Sequence, residues 1–214
     1  MSSKRVLVLY YSQTGQTERV LEIVSDELRR AQHQVEMVRF NPVEDFRFPW
    51  SPFALMSLMV RTYVGAKLSV ELEELPSHVR TGRYDLTVIG YQPWFLAPSV
   101  PVRSFLDGPA GELLRSRRVV SVITCRKLWK RAYRTFEQKV EARGATVVDS
   151  LVVEDPARQP MNMVTTVFHL LTGRTLDRGI LKNVFPPLGI GDGGLRQARQ
   201  FGEKLAARLG AGEI

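Results

Sequence analysis

Three histidines and one cysteine are all the imidazole and thiol chemistry that this 214-residue chain carries. A single cysteine, Cys125, excludes an intrachain disulfide framework and sets the expectation of a reducing, cytoplasmic setting. No zinc-ligand spacing occurs. No run reaches the ~18 apolar residues that a membrane-spanning helix needs. The first residues, MSSKRVLVLYYS, hold too short an apolar run for a signal-peptide core and lack a small-residue cleavage site. GxxxxGK[ST] is missing, which excludes the usual nucleoside-triphosphate loop. Internal repeats and low-complexity tracts are missing too.

With 44% hydrophobic and 24% charged residues, the chain reads as one globular domain over 1–214, large enough to bury a core without disulfides. Its net charge is +8 and its pI about 9.9. A basic balance favours phosphates or anionic surfaces. The arginines are spread along the whole chain, however, and no nucleic-acid partner is expected.

Arg5 to Tyr11 is a continuous Val/Leu/Tyr run, the pattern of a strand buried on both faces. From Gln16 to Ala31 the residues Val20, Ile23, Val24, Leu28 and Ala31 recur at helical spacing. Val35–Phe40, Tyr84–Tyr91, Arg118–Thr124 and Ala145–Val153 read as further strands. Helices are expected around Val102–Leu106, Leu128–Arg143 and Leu195–Leu209. Five strands alternating with helices predict a doubly wound parallel α/β sheet, for which 2-1-3-4-5 is one common order. Two apolar stretches, at about 46–67 and 160–189, are too long for ordinary connections and read as insertions. Packing on the core, a substrate lid, a dimer surface and membrane-surface contact are all open for them.

The polar stretch Ser12-Gln13-Thr14-Gly15-Gln16-Thr17 lies between the first strand and the first helix. In a parallel sheet this is the carboxyl end of a strand, where ligands bind. A helix start offers unpaired N–H groups and a positive dipole end, which suit a phosphate. Gly15 allows close backbone approach, and the hydroxyls of Ser12, Thr14 and Thr17 add donors. A plain capped helix start is the alternative.

S-x-T-G-x-T after a first buried strand resembles the flavodoxin-like family over most of the chain. That resemblance implies that residues 12 to 17 hold the phosphate of FMN. It further implies that the loop with Pro93, Trp94, Phe95 and Leu96 borders the flavin ring, as does the loop with Thr124, Cys125 and Arg126. Trp94 as core and Arg126 and Lys127 as solvated charges compete with that reading. Trp129 reads as a helix-packing residue.

Other features attract attention and are weighed down. GIGDGG, residues 189 to 194, matches GxGxxG but follows Phe185-Pro186-Pro187 rather than a strand, so it reads as the turn into the last helix. Cys125 beside Arg126 and Lys127 is a candidate nucleophile if those cations lower its pKa. His169 is the one histidine placed to swing over the cleft as a base. Glu154-Asp155-Pro156 reads as a loop opened by Asp-Pro.

YYSQTGQ, FPW at Phe48, YQPWFLAPSVPV, ITCRKLW and FPPLG together resemble a subgroup of flavodoxin-like proteins often labelled dialkylresorcinol condensing enzyme. Ketosynthase-type condensation needs a cysteine with positioned histidines, which this sequence does not supply. An FMN oxidoreductase that aromatises a cyclic dione fits better, with the apolar insertions as walls for a small hydrophobic substrate. A looser likeness to flavodoxin-fold protoporphyrinogen oxidases supports the same reaction type. The competing expectations are a flavodoxin-type electron carrier, an NAD(P)H-dependent quinone reductase, and a module that binds a partner or membrane surface without flavin. NAD(P)H as reductant and an oligomeric state are also left open.

Overall fold

The computed structural model describes residues 3–44, 46, 49–64, 66–155, 161–176 and 189–214. Phe48, Pro156, the Phe185–Gly189 motif up to Leu188 and much of the 160–189 stretch lie outside the described residues.

Strand β1 (Arg5–Tyr10) leads into helix α1 (Gln16–Arg30), followed by β2 (Gln34–Arg39), α2 (Pro52–Tyr63) and α3 (Ser77–Thr81). Next come β3 (Leu86–Tyr91), a two-stranded ribbon of β4 (Pro93–Trp94) and β5 (Ala97–Pro98), and α4 (Val100–Asp107). A 3-10 turn (Pro109–Leu114) precedes β6 (Arg118–Cys125), α5 (Trp129–Ala142), β7 (Thr146–Glu154), α6 (Met161–Thr172) and α7 (Asp192–Ala211). The main sheet runs β2-β1-β3-β6-β7, all parallel. With the small ribbon set apart, this is the expected 2-1-3-4-5 order.

The period-two geometry of a strand divides the apolar run of β1 between two cores. Leu7, Leu9 and Tyr11 face one side with Phe105, Leu106, Phe136 and Val140 of α4 and α5. Val6, Val8 and Tyr10 face the other with Val20, Leu21, Val24 and Leu28 of α1 and Ala198, Leu205 and Leu209 of α7. Burial on both faces explains why β1, β3 and β6 are nearly unbroken Val/Leu/Ile sequence. The edge strands β2 and β7 carry Gln34, Glu36, Arg39, Asp149 and Glu154, which blunt open sheet edges. α7 can lie tightly on α1 because Gly202 has no side chain; a Cβ there would come within 2.9 Å of Glu27 Cβ.

Helices α2 and α6 occupy the two stretches that read as insertions. α2 starts where Ser51 Oγ accepts the Ala54 N–H at 3.1 Å and Pro52 takes the first turn, both ordinary helix-start chemistry. Its sequence is apolar nearly all round, yet Phe53, Met56, Val60 and Tyr63 are exposed, and on α6 so are Met163, Val164 and Val167. Among the described residues no helix is long and apolar enough to cross a membrane.

Candidate functional site

β1, β3, β6 and β7 all end on one side of the sheet, and the segments that follow them meet there. After β1 the chain turns at Gly15, whose φ of 75° lies in the left-handed region and starts α1. No atom lies within 4 Å of where a Gly15 Cβ would stand, so the turn faces open space. Gly15 brings no side chain to cap the helix, and Ser12 Oγ accepts only a long 3.4 Å bond from the Glu18 N–H. The helix start thus keeps donor capacity on an open side.

Thr17 turns the other way. Its hydroxyl is buried, 2.7 Å from Thr124 Oγ1 at the end of β6. Gln92, directly after β3, locks the arrangement. With its amide oriented to satisfy its neighbours, the nitrogen donates to the Tyr11 carbonyl at 2.9 Å and to Thr17 Oγ1 at 3.0 Å, while the oxygen accepts the Gln13 N–H at 3.1 Å. Gln92 was not among the sequence-derived site residues. Its signal is there in retrospect: an amide immediately after six wholly buried strand residues needs a polar partner.

Gln13 and Gln16 reach outward from the loop to distant chain. The Gln13 side chain accepts from the Tyr11 hydroxyl and donates to the Phe46 carbonyl. Gln16 Oε1 accepts the Ile190 N–H at 2.9 Å. Thr14 is exposed at the tip. Arg39 supplies a cation beside the loop, donating to the Ser12 carbonyl at 3.3 Å with its guanidinium 5.9 Å from the Tyr11 ring centroid.

The ribbon after β3 differs from the loop that its sequence suggests. Pro93 and Trp94 pair antiparallel with Pro98 and Ala97, and the two-residue turn forces Phe95 to a φ of 58°, an uncommon conformation for a bulky residue. Trp94 is 8% exposed. Phe46, Trp50 and Tyr11 surround it in edge-on contacts with centroids at 4.8, 5.4 and 5.9 Å. The flat wall read from the sequence is therefore packed into an aromatic cluster, while Phe95 and Leu96 are half-buried at the turn. The Trp50 N–H donates to the Leu170 carbonyl at 2.7 Å, which brings α6, and with it His169, to this cluster. His169 Nδ1 lies 3.2 Å from the Arg174 carbonyl.

At the end of β6, Thr124 is buried while Cys125 and Arg126 are half-buried. The reading of Cys125 as an activated thiol is corrected here. Burial, then the Glu154 carboxylate, push its thiol up to about 12, and the weaker opposing pull of Lys127 does not offset them. Lys127 is itself spent on Glu154 at 2.9 Å, and the Trp129 indole donates to the same carboxylate at 3.0 Å. Those two bonds hold Glu154 below its usual range. Burial pushes Arg126 below its usual value, with Asp155 pulling it back. The Asp155 N–H donates to the Cys125 carbonyl at 2.8 Å and closes the β6 and β7 ends together. GIGDGG is the turn into α7, with Gly191 at the helix N-cap. Among the described residues no cluster of three His, Cys, Asp or Glu could hold a metal ion.

No protein-family model matches the chain. No curated protein matches it either. Solved structures do. A flavodoxin of Streptococcus pneumonia TIGR4 is similar at 14% identity and TM-score 0.51, over 95% of this chain and 99% of that one. Oxidised Flavodoxin 2 from Bacillus cereus is similar at the same identity, coverage and TM-score. Likeness at this identity establishes the fold, and the fold is flavodoxin-like.

Proposed function

We propose that the protein is an FMN-binding oxidoreductase. The observation that carries this is the open turn at Gly15, which delivers a helix start with one long side-chain cap bond, from Ser12, to the carboxyl end of a central strand. A phosphate monoester fits such donors, and Arg39 adds favourable charge. In this reading Ser12, Gln13, Thr14, Gly15 and Gln16 surround the phosphate, and buried Thr17 positions the loop through Thr124 and Gln92. Pro93, Phe95, Leu96, Thr124, Cys125 and Arg126 border the ring, and Trp94 supports that border from beneath. FMN, when bound, supplies a hydride-accepting centre.

For the substrate we propose a hydrophobic organic molecule, of the cyclic-dione type that becomes aromatic on losing hydride and a proton. The exposed apolar residues of α2 and α6 support this, because Gln13–Phe46 and Trp50–Leu170 tether both helices beside the loop. His169 is the proton acceptor we assign. Cys125, held protonated, takes no part as nucleophile. NAD(P)H is the reductant we propose for a quinone-reductase variant of this activity.

The test is an absorption spectrum before and after adding FMN and gel-filtering, followed by turnover assays with cyclic diones, quinones and NAD(P)H. Flavin retained at about one per chain, with dione-dependent turnover, is the expected result. Retained flavin without any turnover would make the protein an electron carrier. Folded protein that retains no flavin would overturn the proposal.

A further inference from the structure

We propose that the exposed apolar sides of α2 and α6 seat the protein on an anionic phospholipid surface. Phe53, Met56, Val60 and Tyr63 recur along α2 at three- and four-residue spacing, so they share one side of the helix. Its buried residues, Leu55 and Thr62, point elsewhere. Phe53 is 83% and Tyr63 70% exposed, and Val64, just past the helix end, is exposed as well. On α6, Met163, Val164 and Val167 are exposed at helical spacing too. The Trp50 N–H, one residue before the Ser51 cap of α2, donates to the Leu170 carbonyl at 2.7 Å, so both sides belong to one corner of the molecule. Apolar residues scattered singly over a surface are ordinary, whereas a gathered patch marks a contact surface.

Charge identifies the occupant. Residues 46–70 and 156–176, which contain the two helices, hold no Asp or Glu, so all 22 acids of the chain lie elsewhere. The same stretches hold Arg47, Arg61, Lys67, Arg158 and Arg174. Arg61, Lys67 and Arg174 are exposed. An apolar helix side bordered by cations and free of acids suits the headgroup layer of an anionic bilayer, where the apolar residues enter and the cations meet phosphates. At 12 residues each, α2 and α6 are well short of the ~20 that a span needs, so the contact is made on the surface.

A second copy of the chain fits less well. A two-fold contact sets each patch against itself, and here that brings cations together with no acid in either stretch to answer them. Phe46 and Trp50 join this corner to the Trp94 cluster beside the proposed flavin border. A hydrophobic substrate of the class proposed above partitions into a bilayer, so the seat places its source next to the site. The seat itself does not rest on the flavin reading.

The experiment is co-sedimentation of the purified protein with vesicles of phosphatidylcholine mixed with phosphatidylglycerol, with pure phosphatidylcholine vesicles as reference. Binding to the mixed vesicles that weakens with added salt is expected, with little binding to the neutral ones. Arg61→Gln/Lys67→Gln should weaken it by ~30-fold, the product of two surface cations. Phe53→Ser/Val60→Ser keeps every charge and should still weaken it by ~10-fold or more. All four positions are exposed, and circular dichroism checks each variant. No binding to the mixed vesicles overturns the proposal, as does equal binding to neutral ones. Binding that Phe53→Ser/Val60→Ser leaves unchanged belongs to the basic residues spread over the rest of the chain, and overturns it too. Light scattering covers the remaining occupant: a dimer that becomes monomeric in Phe53→Ser/Val60→Ser gives the patch to a second copy and overturns the lipid assignment. Neither flavin nor substrate enters these readouts, so they fail or succeed apart from the FMN assignment.

Discussion

The hydroxyls of Thr17 and Thr124 meet at 2.7 Å across the carboxyl end of the sheet, joining the first turn of α1 to the last residues of β6. They are 107 residues apart in sequence, and Gln92 from β3 completes the junction. Three strand ends are thereby held in register by side chains rather than by the backbone ladder alone.

Thr17→Val keeps the shape and removes the hydroxyl, leaving Thr124 and Gln92 short of a buried partner. The expected loss is ~1–3 kcal/mol, read from urea denaturation. FMN affinity should fall with it, because the loop loses its anchor. A variant as stable as the parent would show that the junction contributes nothing.

Thr14→Glu with Gly15→Asp places two carboxylates on the open side of the α1 start. Thr14 is exposed and Gly15 faces open space, so the cost at position 15 is the ~1–2 kcal/mol of holding Asp at a φ of 75°; circular dichroism checks that the fold survives it. Flavin retention after gel filtration should be abolished. Undiminished retention in folded protein would remove the phosphate from this loop.

Trp94→Ala empties the centre of the aromatic cluster of Tyr11, Phe46 and Trp50. A loss of ~3–5 kcal/mol is expected for so large a truncation, with Trp94→Phe recovering part of it. Guanidinium denaturation measures both. Bound-flavin absorbance in Trp94→Phe then reports whether the cluster also touches the ring.

Cys125 gives a pH signature. Its thiol pKa in the folded chain, about 12, lies above its ordinary value of 9.0. The folded state thus holds the proton more tightly. This contribution to stability is full below about pH 9 and is lost as pH rises toward 12. Cys125→Ala should show a shallower alkaline loss over that window. Iodoacetamide should label the native thiol at pH 8.5 far more slowly than the urea-unfolded one; equal rates would contradict the burial.

β1, β3 and β6 are legible from sequence because central strands of a parallel sheet must be apolar on both faces. α1, α5 and α7 are legible from their helical stripes. The Ser12–Thr17 turn is visible because its polar residues interrupt the apolar pattern between β1 and α1. α2 and α6 are not legible as helices, since residues such as Phe53 and Met163 are exposed and break any stripe. Pro93 and Pro98 hide the β4–β5 ribbon, because proline ordinarily argues against a strand. The burial of Trp94 depends on Phe46 and Trp50, which arrive from a distant segment. Arg103, in the apolar run VPVRSF, looks like a solvated charge and is instead enclosed.

The bond from the Ile190 N–H to Gln16 Oε1 has a consequence for how the protein comes to be made. During synthesis α1 leaves the ribosome well before α7, which packs on it. The bond that ties Gln16 to Ile190 beside the Gly15 turn therefore forms only after residue 190 has emerged. A chain stopped short of residue 190 would have every strand of the described sheet and still leave Gln16 without this partner beside the Gly15 turn.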